Sequence, residues 1–198
     1  MKVVKFGGSS MADAGQYRKI RDILEADKSR KVVVVSAAGK RFKDDHKITD
    51  LLYLCHAHTQ YGVECDQVFE MITSRYIEIR DELKLNVDLE SEFEALKRRL
   101  DARAVSQDEL ASRGEYFSAK LMAAFLGFQF IDAADWIKFN VDGSVNKKAS
   151  YGALRSMMKG KGIVLRMPPA TVLGNDIQEI SVFDEQQSIF VPISTQEL

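Results

Sequence analysis

The sequence has few cysteines and no long apolar run, and each absence argues against a class of protein. Its two cysteines, Cys55 and Cys65, cannot form a disulfide framework, and both lie in helix-like sequence, as expected for reduced thiols in a cytosol. No segment approaches the roughly 18 apolar residues of a membrane span. The N-terminal MKVVKFGG shows neither the apolar core nor the cleavage site of a signal peptide. We therefore expect a cytoplasmic protein with no membrane partner.

A strong charge of one sign is also missing. The 28 lysines and arginines nearly balance the 29 aspartates and glutamates, which gives a formal net charge of −1. Because a nucleic-acid-binding surface is strongly basic, we expect no nucleic-acid partner. What is present is a chain of 198 residues, 45% hydrophobic and 29% charged, the balance of a globular protein with one core.

The first forty residues predict a strand, a helix and a second strand. The apolar run 2–6 ends in a glycine turn at 7–10. Apolar residues then recur at helical spacing from Asp13, a candidate N-cap, to Ala26. Four consecutive valines, Val32–Val35, indicate a strand buried on both faces, which is typical of parallel sheets covered by helices. The pattern is that of a βαβ unit.

The chain from residue 48 to residue 165 is predicted to be mainly helical, with two further strands. Ser106 and Glu109 form a candidate capping box, and Gly127 fits the end of the helix that they begin. After Pro168-Pro169 the pattern alternates, which predicts a β-hairpin around residues 184–187. We therefore divide the chain into residues 1–165 and a divergent tail, 166–198. Helices are expected over 48–58, 68–83, 89–100, 106–125 and 151–158, and strands over 128–131 and 162–165.

The first candidate site is the turn that follows the first strand. Gly7 and Gly8 allow backbone N–H groups to approach a phosphate closely, and Ser9 continues the turn. Lys5, beside it, would supply positive charge for a transferred phosphoryl group. The alternative is a plain tight turn with a solvated lysine, since the turn matches neither the P-loop nor the dinucleotide-binding pattern.

The second candidate site is Ser36-Ala37-Ala38-Gly39, at the end of the valine strand. Ligands of open α/β sheets bind at the carboxyl ends of parallel strands, so this loop and the glycine turn should lie on one edge. The Ser36 hydroxyl could bind a substrate or phosphate oxygen there, and the alternative is an ordinary small-residue loop. The charged stretch Lys40–Lys47 that follows is expected to be a mobile, solvated loop.

The third candidate site is Ser112-Arg113-Gly114-Glu115, inside a predicted helix. A mid-helix glycine costs about 1 kcal/mol relative to alanine, which indicates close approach by backbone or ligand at Gly114. The Glu115 carboxylate could accept hydrogen bonds from an ammonium group. The alternative is a surface salt bridge between Arg113 and a neighbouring acid.

In this order, the three segments resemble the aspartate kinases of the amino-acid kinase superfamily. The resemblance rests on KFGGSS, VVVVSAAGK, ITDLL and LASRGEYFSAKLMAAFL, and it covers residues 1–165. It implies an α/β fold, a three-layer α/β/α sandwich with a mainly parallel central sheet. It also implies phosphoryl transfer from ATP, with Mg²⁺, to the side-chain carboxylate of L-aspartate, giving 4-phospho-L-aspartate, in a cytoplasmic homodimer. That reaction begins the synthesis of lysine, threonine and methionine.

The resemblance also implies a role for each candidate residue. A lysine stabilises charge on the transferred phosphoryl group, a glycine turn contacts the phosphates, and hydroxyl and carboxylate side chains hold aspartate. The substrate carboxylate attacks the γ-phosphorus itself, so no protein nucleophile is needed. Separately, we predict no metal ligand from the protein. The residues are Lys5 for catalysis, Lys5, Gly7, Gly8 and Ser9 for the phosphates, and Ser36, Thr49 and Glu115 for aspartate, with Glu115 at its amino group.

The sequence departs from the family pattern after residue 165. The family continues with a glycine-rich turn, a GRGGSD-type motif, a TDV-containing segment and a DPR triplet, and Arg166-Met167-Pro168-Pro169 stands where that turn would begin. Three alternatives therefore stay open. The chain could be an amino-acid kinase for glutamate, carbamate or a nucleoside monophosphate, although the SRGE helix argues against this. It could also be a non-catalytic amino-acid-binding protein or partner subunit of a full-length kinase, or a folded remnant without function.

This 198-residue polypeptide alone is predicted to have little or no kinase activity. The family motifs that it lacks after residue 165 would make contacts to the transition state, and the loss of each such contact removes a few kcal/mol of stabilisation. Calorimetric titrations with aspartate and with Mg²⁺–ATP, performed separately, check the prediction. We expect binding of aspartate and weak or absent binding of ATP. A low-micromolar affinity for ATP would show that the interpretation of the tail is wrong.

Overall fold

The computed structural model describes residues 1–158 and 162–166, together with the backbone of two further strands at 179–184 and 189–194. In this described part, no helix is both long and apolar enough to cross a membrane. The strands are β1 (Lys2–Phe6), β2 (Arg30–Val35), β3 (Gln129–Ile131), β4 (Ile163–Arg166), β5 (Glu179–Asp184) and β6 (Ile189–Ser194). The helices are α1 (Ala14–Glu25), α2 (Ile48–Tyr61), α3 (Asp66–Glu82), α4 (Glu90–Asp101), α5 (Gln107–Leu126), α6 (Ala133–Trp136) and α7 (Lys147–Met157).

The main sheet has four parallel strands in the order β1-β2-β4-β3. β2 lies between β1 and β4, and Val32–Val35 are at most 3% exposed. This burial confirms the interpretation of the valine run. The register places Lys5 opposite Val34 and Phe6 opposite Val35, so β1 and β2 end together. We call the edge formed by the C-terminal ends of β1–β4 the carboxyl edge.

Side chains alternate between the two faces of the sheet and build a separate core on each face. Val33 and Val35 pack with residues of α1–α5. Val32 and Val34 pack instead with residues of α6 and α7. Helices therefore cover both faces of a parallel sheet, which confirms the predicted three-layer α/β/α sandwich.

Several helix ends follow the sequence signals. The Asp13 side chain accepts a hydrogen bond from a backbone N–H of the first turn of α1 at 2.9 Å, and Ser106 does the same for α5 at 3.2 Å. Gly127 follows α5 with a φ of 65°, a conformation that favours glycine. The capping box is only half formed, because the Glu109 carboxylate pairs with Arg99 at 2.6 and 2.9 Å.

Two short elements were not predicted, and one helix starts earlier than expected. A 3₁₀ turn, Gly8–Met11, follows β1, and α6 is a single turn, Ala133–Trp136. Neither is long enough to show a hydrophobic period in the sequence. α7 begins at Lys147, ahead of the predicted residue 151, where the Asn146 side chain caps it.

The tail contains two paired strands. β5 and β6 are antiparallel, with Glu179 opposite Ser194 and Asp184 opposite Ile189. The alternating residues of the tail lie in these strands, where the sequence predicts a hairpin. Pro168-Pro169 and residues 185–188 fall outside the described residues. The division into residues 1–165 and 166–198 stays a prediction.

The charged loop 40–47 is held in place by a buried carboxylate, so the expectation of a solvated loop is wrong at Asp45. Asp45 Oδ2 accepts hydrogen bonds from Arg75 Nη2 at 2.7 Å and from Arg41 Nε at 2.9 Å. Arg75 also donates to the Gly39 carbonyl at 2.9 Å. Burial alone raises the pKa of Asp45, but the hydrogen bonds from Arg41 and the charge of Arg75 outweigh it and hold that pKa well below its ordinary value.

We expect Asp45→Asn to lower the free energy of unfolding at pH 7 by about 3 kcal/mol, because it leaves the buried Arg75 without its counter-charge. A carboxyl with a depressed folded-state pKa stabilises the native state above its unfolded pKa, about 3.9, and loses that contribution as the pH falls. The difference between wild type and variant should therefore shrink below about pH 4.

Urea unfolding across this pH range measures that difference, and Asp44→Asn, an exposed neighbour, is the control. Equal destabilisation by the two substitutions would show that Asp45 does not hold the loop.

Candidate functional site

The loops that follow β1 and β2 lie side by side at the carboxyl edge. The Ser36 N–H donates to the Phe6 carbonyl at 3.1 Å, and the Gly39 N–H donates to the Gly8 carbonyl at 2.8 Å. The glycine turn and the loop 36–39 are therefore joined by backbone hydrogen bonds. This is the arrangement expected at the ends of adjacent parallel strands.

Glycine is required where these two loops touch. A Cβ on Gly39 would lie 2.6 Å from the Gly8 carbonyl carbon and 2.8 Å from the Ser9 nitrogen, which is too close for real atoms. A Cβ on Gly8 would lie 3.2 Å from the Ala37 carbonyl oxygen. By contrast, nothing lies within 4 Å of a Cβ built on Gly7. The turn therefore packs on one side and faces open space at its first glycine.

The third candidate segment joins the same unit through Gly114 of α5. A Cβ on Gly114 would lie 2.6 Å from the Cβ of Ala37, and the Tyr76 hydroxyl donates to the Gly114 carbonyl at 2.8 Å. Close approach by a neighbouring segment explains the mid-helix glycine, as predicted. The next residue is Glu115, whose pKa burial raises and the neighbouring backbone of Ala37 lowers. Three segments far apart in sequence thus meet at one place.

Glu115 carries a partly desolvated carboxylate with one unsatisfied oxygen. Its Oε2 is buried and has no hydrogen-bond partner among the described residues. Burial raises the pKa of Glu115, while backbone hydrogen bonds from Glu115 and Ala37 and the charge of Arg166 act in the opposite direction. Because a buried acceptor without a donor is costly, this oxygen is suited to accept a hydrogen bond from a ligand.

α2 places Thr49 at the same edge. Its first residue, Ile48, donates its N–H to the Ala38 carbonyl at 3.0 Å, so the helix begins directly against the loop 36–39. Thr49 lies in the first turn, and both Thr49 and Ser36 are half-buried. Their hydroxyl groups and the N-terminal N–H groups of α2 are donors that suit a carboxylate.

Lys5 lies near this edge but approaches it from the other face of the sheet. Val4 and Phe6 pack with the core that contains α5, whereas Val3 packs with the opposite core. Because strand side chains alternate, Lys5 points to the same face as Val3. It is exposed, and the described part of the chain offers it no hydrogen bond or ion pair. Lys5 and Glu115 therefore flank the edge from opposite faces.

Two arginines lie at the β3–β4 side of the edge, and the sequence predicted a ligand-binding role for neither. Arg113 is half-buried, lies over the Tyr116 ring at 4.7 Å and has no ion pair among the residues described, so the surface salt-bridge alternative is wrong. Arg166, at the end of β4, is 4% exposed and donates to Asp132 and to the Ser112 carbonyl. No sequence signal marks Arg166, because its burial depends on how β3, β4 and α5 pack.

One group of possible metal ligands exists in the described ranges, and it lies elsewhere. Cys65, Asp66 and Asp101 bring their ligand atoms within 4.8 Å of one another. The Lys97 ammonium already lies 2.7 Å from Asp66 and 2.5 Å from Asp101. Cys65 follows the C-terminal end of α2, whereas Thr49 is at its N-terminal end. These three side chains are therefore not part of the candidate site.

The sequence matches a known family over the region that builds this site. A model of the amino acid kinase family matches residues 1–185. The chain belongs to the amino acid kinase family. The match includes every predicted site residue, from Lys5 to Glu115, and it confirms the resemblance drawn from the motifs.

Aspartokinases are similar to this amino acid kinase chain in sequence and in fold. Aspartokinase 3 of Bacillus subtilis is 36% identical over 138 residues, which are 67% of this chain and 30% of that protein. The crystal structure of Clostridium acetobutylicum aspartate kinase has a TM-score of 0.77 at 41% identity, covering 83% of this chain and 38% of that one. E. coli aspartokinase III in complex with aspartate and ADP has a TM-score of 0.63 at 24% identity and shows the fold alone, covering 82% of this chain and 40% of that one.

The chain spans well under half the length of these amino acid kinases. The matched part is 30% of the B. subtilis protein and 38% of the C. acetobutylicum chain.

We expect Gly114→Ala to lower the free energy of unfolding by about 1–3 kcal/mol, because the new methyl group would overlap the Cβ of Ala37. Gly152→Ala in α7 is the matched control. Nothing lies within 4 Å of a Cβ on Gly152, and alanine is favoured over glycine in a helix by up to about 1 kcal/mol. Urea unfolding compares the two proteins, and equal stability would contradict the close contact at Gly114.

Proposed function

We propose that this chain forms the aspartate-binding part of an aspartate kinase, which transfers the γ-phosphoryl group of ATP to the side-chain carboxylate of L-aspartate and yields 4-phospho-L-aspartate. The observation that carries the proposal is the buried, unsatisfied Oε2 of Glu115, held beside the loop 36–39 by the contact between Gly114 and Ala37. The similarity to the aspartokinases of B. subtilis and C. acetobutylicum, at 36% and 41% identity, supports it.

Glu115 is suited to bind the α-ammonium group of aspartate. A partly buried carboxylate gains more from an ammonium partner than an exposed one, because water and salt screen the pair less. The ammonium would supply the hydrogen bond that Oε2 lacks in the described part of the chain. It would also lower the pKa that burial raises, and so keep the carboxylate ionised.

Two elements at this edge offer donors that are suited to the carboxylates of aspartate. The Ser36 hydroxyl follows β2, and the Thr49 hydroxyl lies in the first turn of α2. The N-terminal N–H groups of α2 and its helix dipole favour negative charge at the same place. Together with Glu115, these groups complement both the positive and the negative charge of an amino acid.

The glycine turn and Lys5 are suited to the phosphates of ATP. Gly7 faces open space, so its backbone lets a phosphate approach closely. Lys5 is exposed near the same edge, and its charge would offset the charge on the transferred phosphoryl group. A carboxylate oxygen of aspartate forms the new bond to the γ-phosphorus. The bond from that phosphorus to the oxygen it shares with the β-phosphate breaks, and ADP leaves.

Among the described residues, no group of possible metal ligands lies at the carboxyl edge. The acidic group found among the described residues, around Asp66 and Asp101, lies at the other end of α2. Mg²⁺ bound together with ATP would supply positive charge that offsets the charge of the phosphates. We assign it no protein ligand in the described part of this chain.

The setting of the enzyme is part of the same proposal. A cytoplasmic homodimer would catalyse the step that begins lysine, threonine and methionine synthesis. The two cysteines are free and buried, as suits a reducing compartment. The support for the dimer and for the pathway is the similarity to aspartokinases.

We expect Glu115→Gln to weaken aspartate binding about tenfold or more, because an amide cannot offer the ammonium a negative charge. Isothermal titration calorimetry measures the Kd for wild type, for Glu115→Gln and for Glu94→Gln, an exposed control on α4. The control should bind aspartate as wild type does. Equal affinity of wild type and Glu115→Gln would refute the assignment.

The pH dependence of binding gives a second check on Glu115. Because burial raises its pKa, protonation begins above the usual value of 4.5, and aspartate affinity should start to fall at a correspondingly higher pH. The Glu115→Gln protein should lack this dependence.

Thermal shifts with aspartate and with glutamate then identify the acceptor, and a larger shift with glutamate would favour a kinase of another amino acid.

A further inference from the structure

A cavity opens at the carboxyl edge, between α5, α6 and the end of β4. Its volume is about 290 Å³, and Arg113, Arg166, Ala134 and Ile137 are among the residues that line it. Arg113 and Glu115 are two residues apart on α5, so their side chains leave the helix about 200° apart. The cavity therefore lies on a different side of α5 from Glu115, and Arg166, which lines it, is close enough to Glu115 for its charge to oppose the effect of burial and lower the pKa of that carboxyl.

Arg113 brings to this cavity a buried donor that lacks a partner. Its Nε is buried and unpaired among the described residues, and its Nη2 makes only a long hydrogen bond, 3.4 Å, to Ser112 Oγ. The guanidinium lies over the Tyr116 ring at 4.7 Å, which orients its plane. Burial lowers the pKa of Arg113, and the nearby charge of Arg166 lowers it further, yet an arginine stays protonated. The result is an oriented cation that forms no ion pair with any residue the structure describes.

Asp132 and Glu109 are near enough to raise the pKa of Arg113, which burial lowers, but neither forms an ion pair with it in the part of the chain that the structure describes. Asp132 accepts a hydrogen bond from Arg166, and Glu109 pairs with Arg99 at 2.6 Å. Asp108 also lines the cavity, but it is exposed and forms no ion pair in the described ranges. One unmatched cation inside and acidic groups around it favour a ligand with a single negative charge and disfavour a dianion.

Much of the remaining lining is apolar, from Ala133, Ala134, Ile137 and Phe139. An apolar surface beside one guanidinium suits a carboxylate on an apolar body better than a phosphate, whose other oxygens would lose water without gaining partners. We propose that this cavity binds a small monocarboxylate with a short apolar body. Its carboxylate contacts Arg113 and its body contacts Ile137 and Phe139.

The test uses 3-methylbutanoate as the probe and the 198-residue chain as the protein. Trp136 is the single tryptophan and lies in α6, whose alanines line the cavity, so its fluorescence reports occupancy. The Nε–H resonance of Arg113 in a ¹⁵N spectrum reports the predicted hydrogen bond. We expect saturable binding that moves both signals. The neutral 3-methylbutan-1-ol and inorganic phosphate should bind at least tenfold more weakly.

Two substitutions and one control locate the probe. Arg113→Gln removes the charge and should weaken 3-methylbutanoate binding at least tenfold. Ala134→Phe fills the cavity from an exposed position and should abolish binding even if Arg113→Gln fails to fold. Arg98→Gln, at an exposed arginine of α4, should leave the affinity unchanged.

Binding of the probe to this cavity does not require aspartate to bind, so the experiment tests the cavity and the proposed aspartate site separately. Unchanged probe affinity in both Arg113→Gln and Ala134→Phe would overturn the proposal for the cavity, as would phosphate binding as tightly as the carboxylate. Competitive displacement of the probe by aspartate would show that the cavity belongs to the amino-acid site, and would overturn it as well. Simultaneous binding of probe and aspartate is the expected result. If aspartate does not bind, the proposed function fails, but the affinity of the cavity for 3-methylbutanoate is still measured and still tests this proposal.

Discussion

The candidate site depends on close contacts that only glycine permits. Gly39 lies against Gly8, and Gly114 lies against Ala37, each at a distance that leaves no room for a Cβ. Because β1 and β2 are parallel and end in register, the loops after them begin level with each other. The contact between Gly8 and Gly39 fixes the distance between the two loops, and so the positions from which their side chains extend. The candidate residues of these segments therefore take their positions from one contact of main chain on main chain, at Gly8 and Gly39, and from one contact of a helix backbone on a methyl group, at Gly114 and Ala37. Close-packed contacts of this kind leave little room for movement.

α5 holds two buried polar groups that the described residues leave unsatisfied, Glu115 Oε2 and Arg113 Nε. Each such group costs about 1–3 kcal/mol when it has no partner. The helix can carry them because it also buries Leu110, Phe117 and Leu121, each at most 2% exposed, in the main core. A helix anchored in this way keeps its charged side chains in fixed positions, as a binding site requires. The opposite needs of the two groups, a donor at Glu115 and an acceptor at Arg113, suit two different ligand charges.

Local pattern was enough to predict most of the architecture. The valine run predicted a strand buried on both faces, and the glycine inside the SRGE helix predicted a close approach, because each feature leaves a mark within a few residues of sequence. The burial of Asp45 could not be predicted, since its partner Arg75 comes from α3, and α6 is too short to show a period. The cavity lined by Arg113 and Arg166 could not be predicted either. It depends on the pairing of β4 with β2 and β3, and no feature of the sequence near Arg166 indicates that pairing.

The most direct test of this account is a crystal structure of the chain grown with L-aspartate. The account predicts aspartate at the carboxyl edge, with its ammonium group within hydrogen-bond distance of Glu115 Oε2 and a carboxylate near Ser36 and Thr49. Aspartate bound elsewhere in the molecule, with the Glu115 oxygen still unpaired, would contradict it.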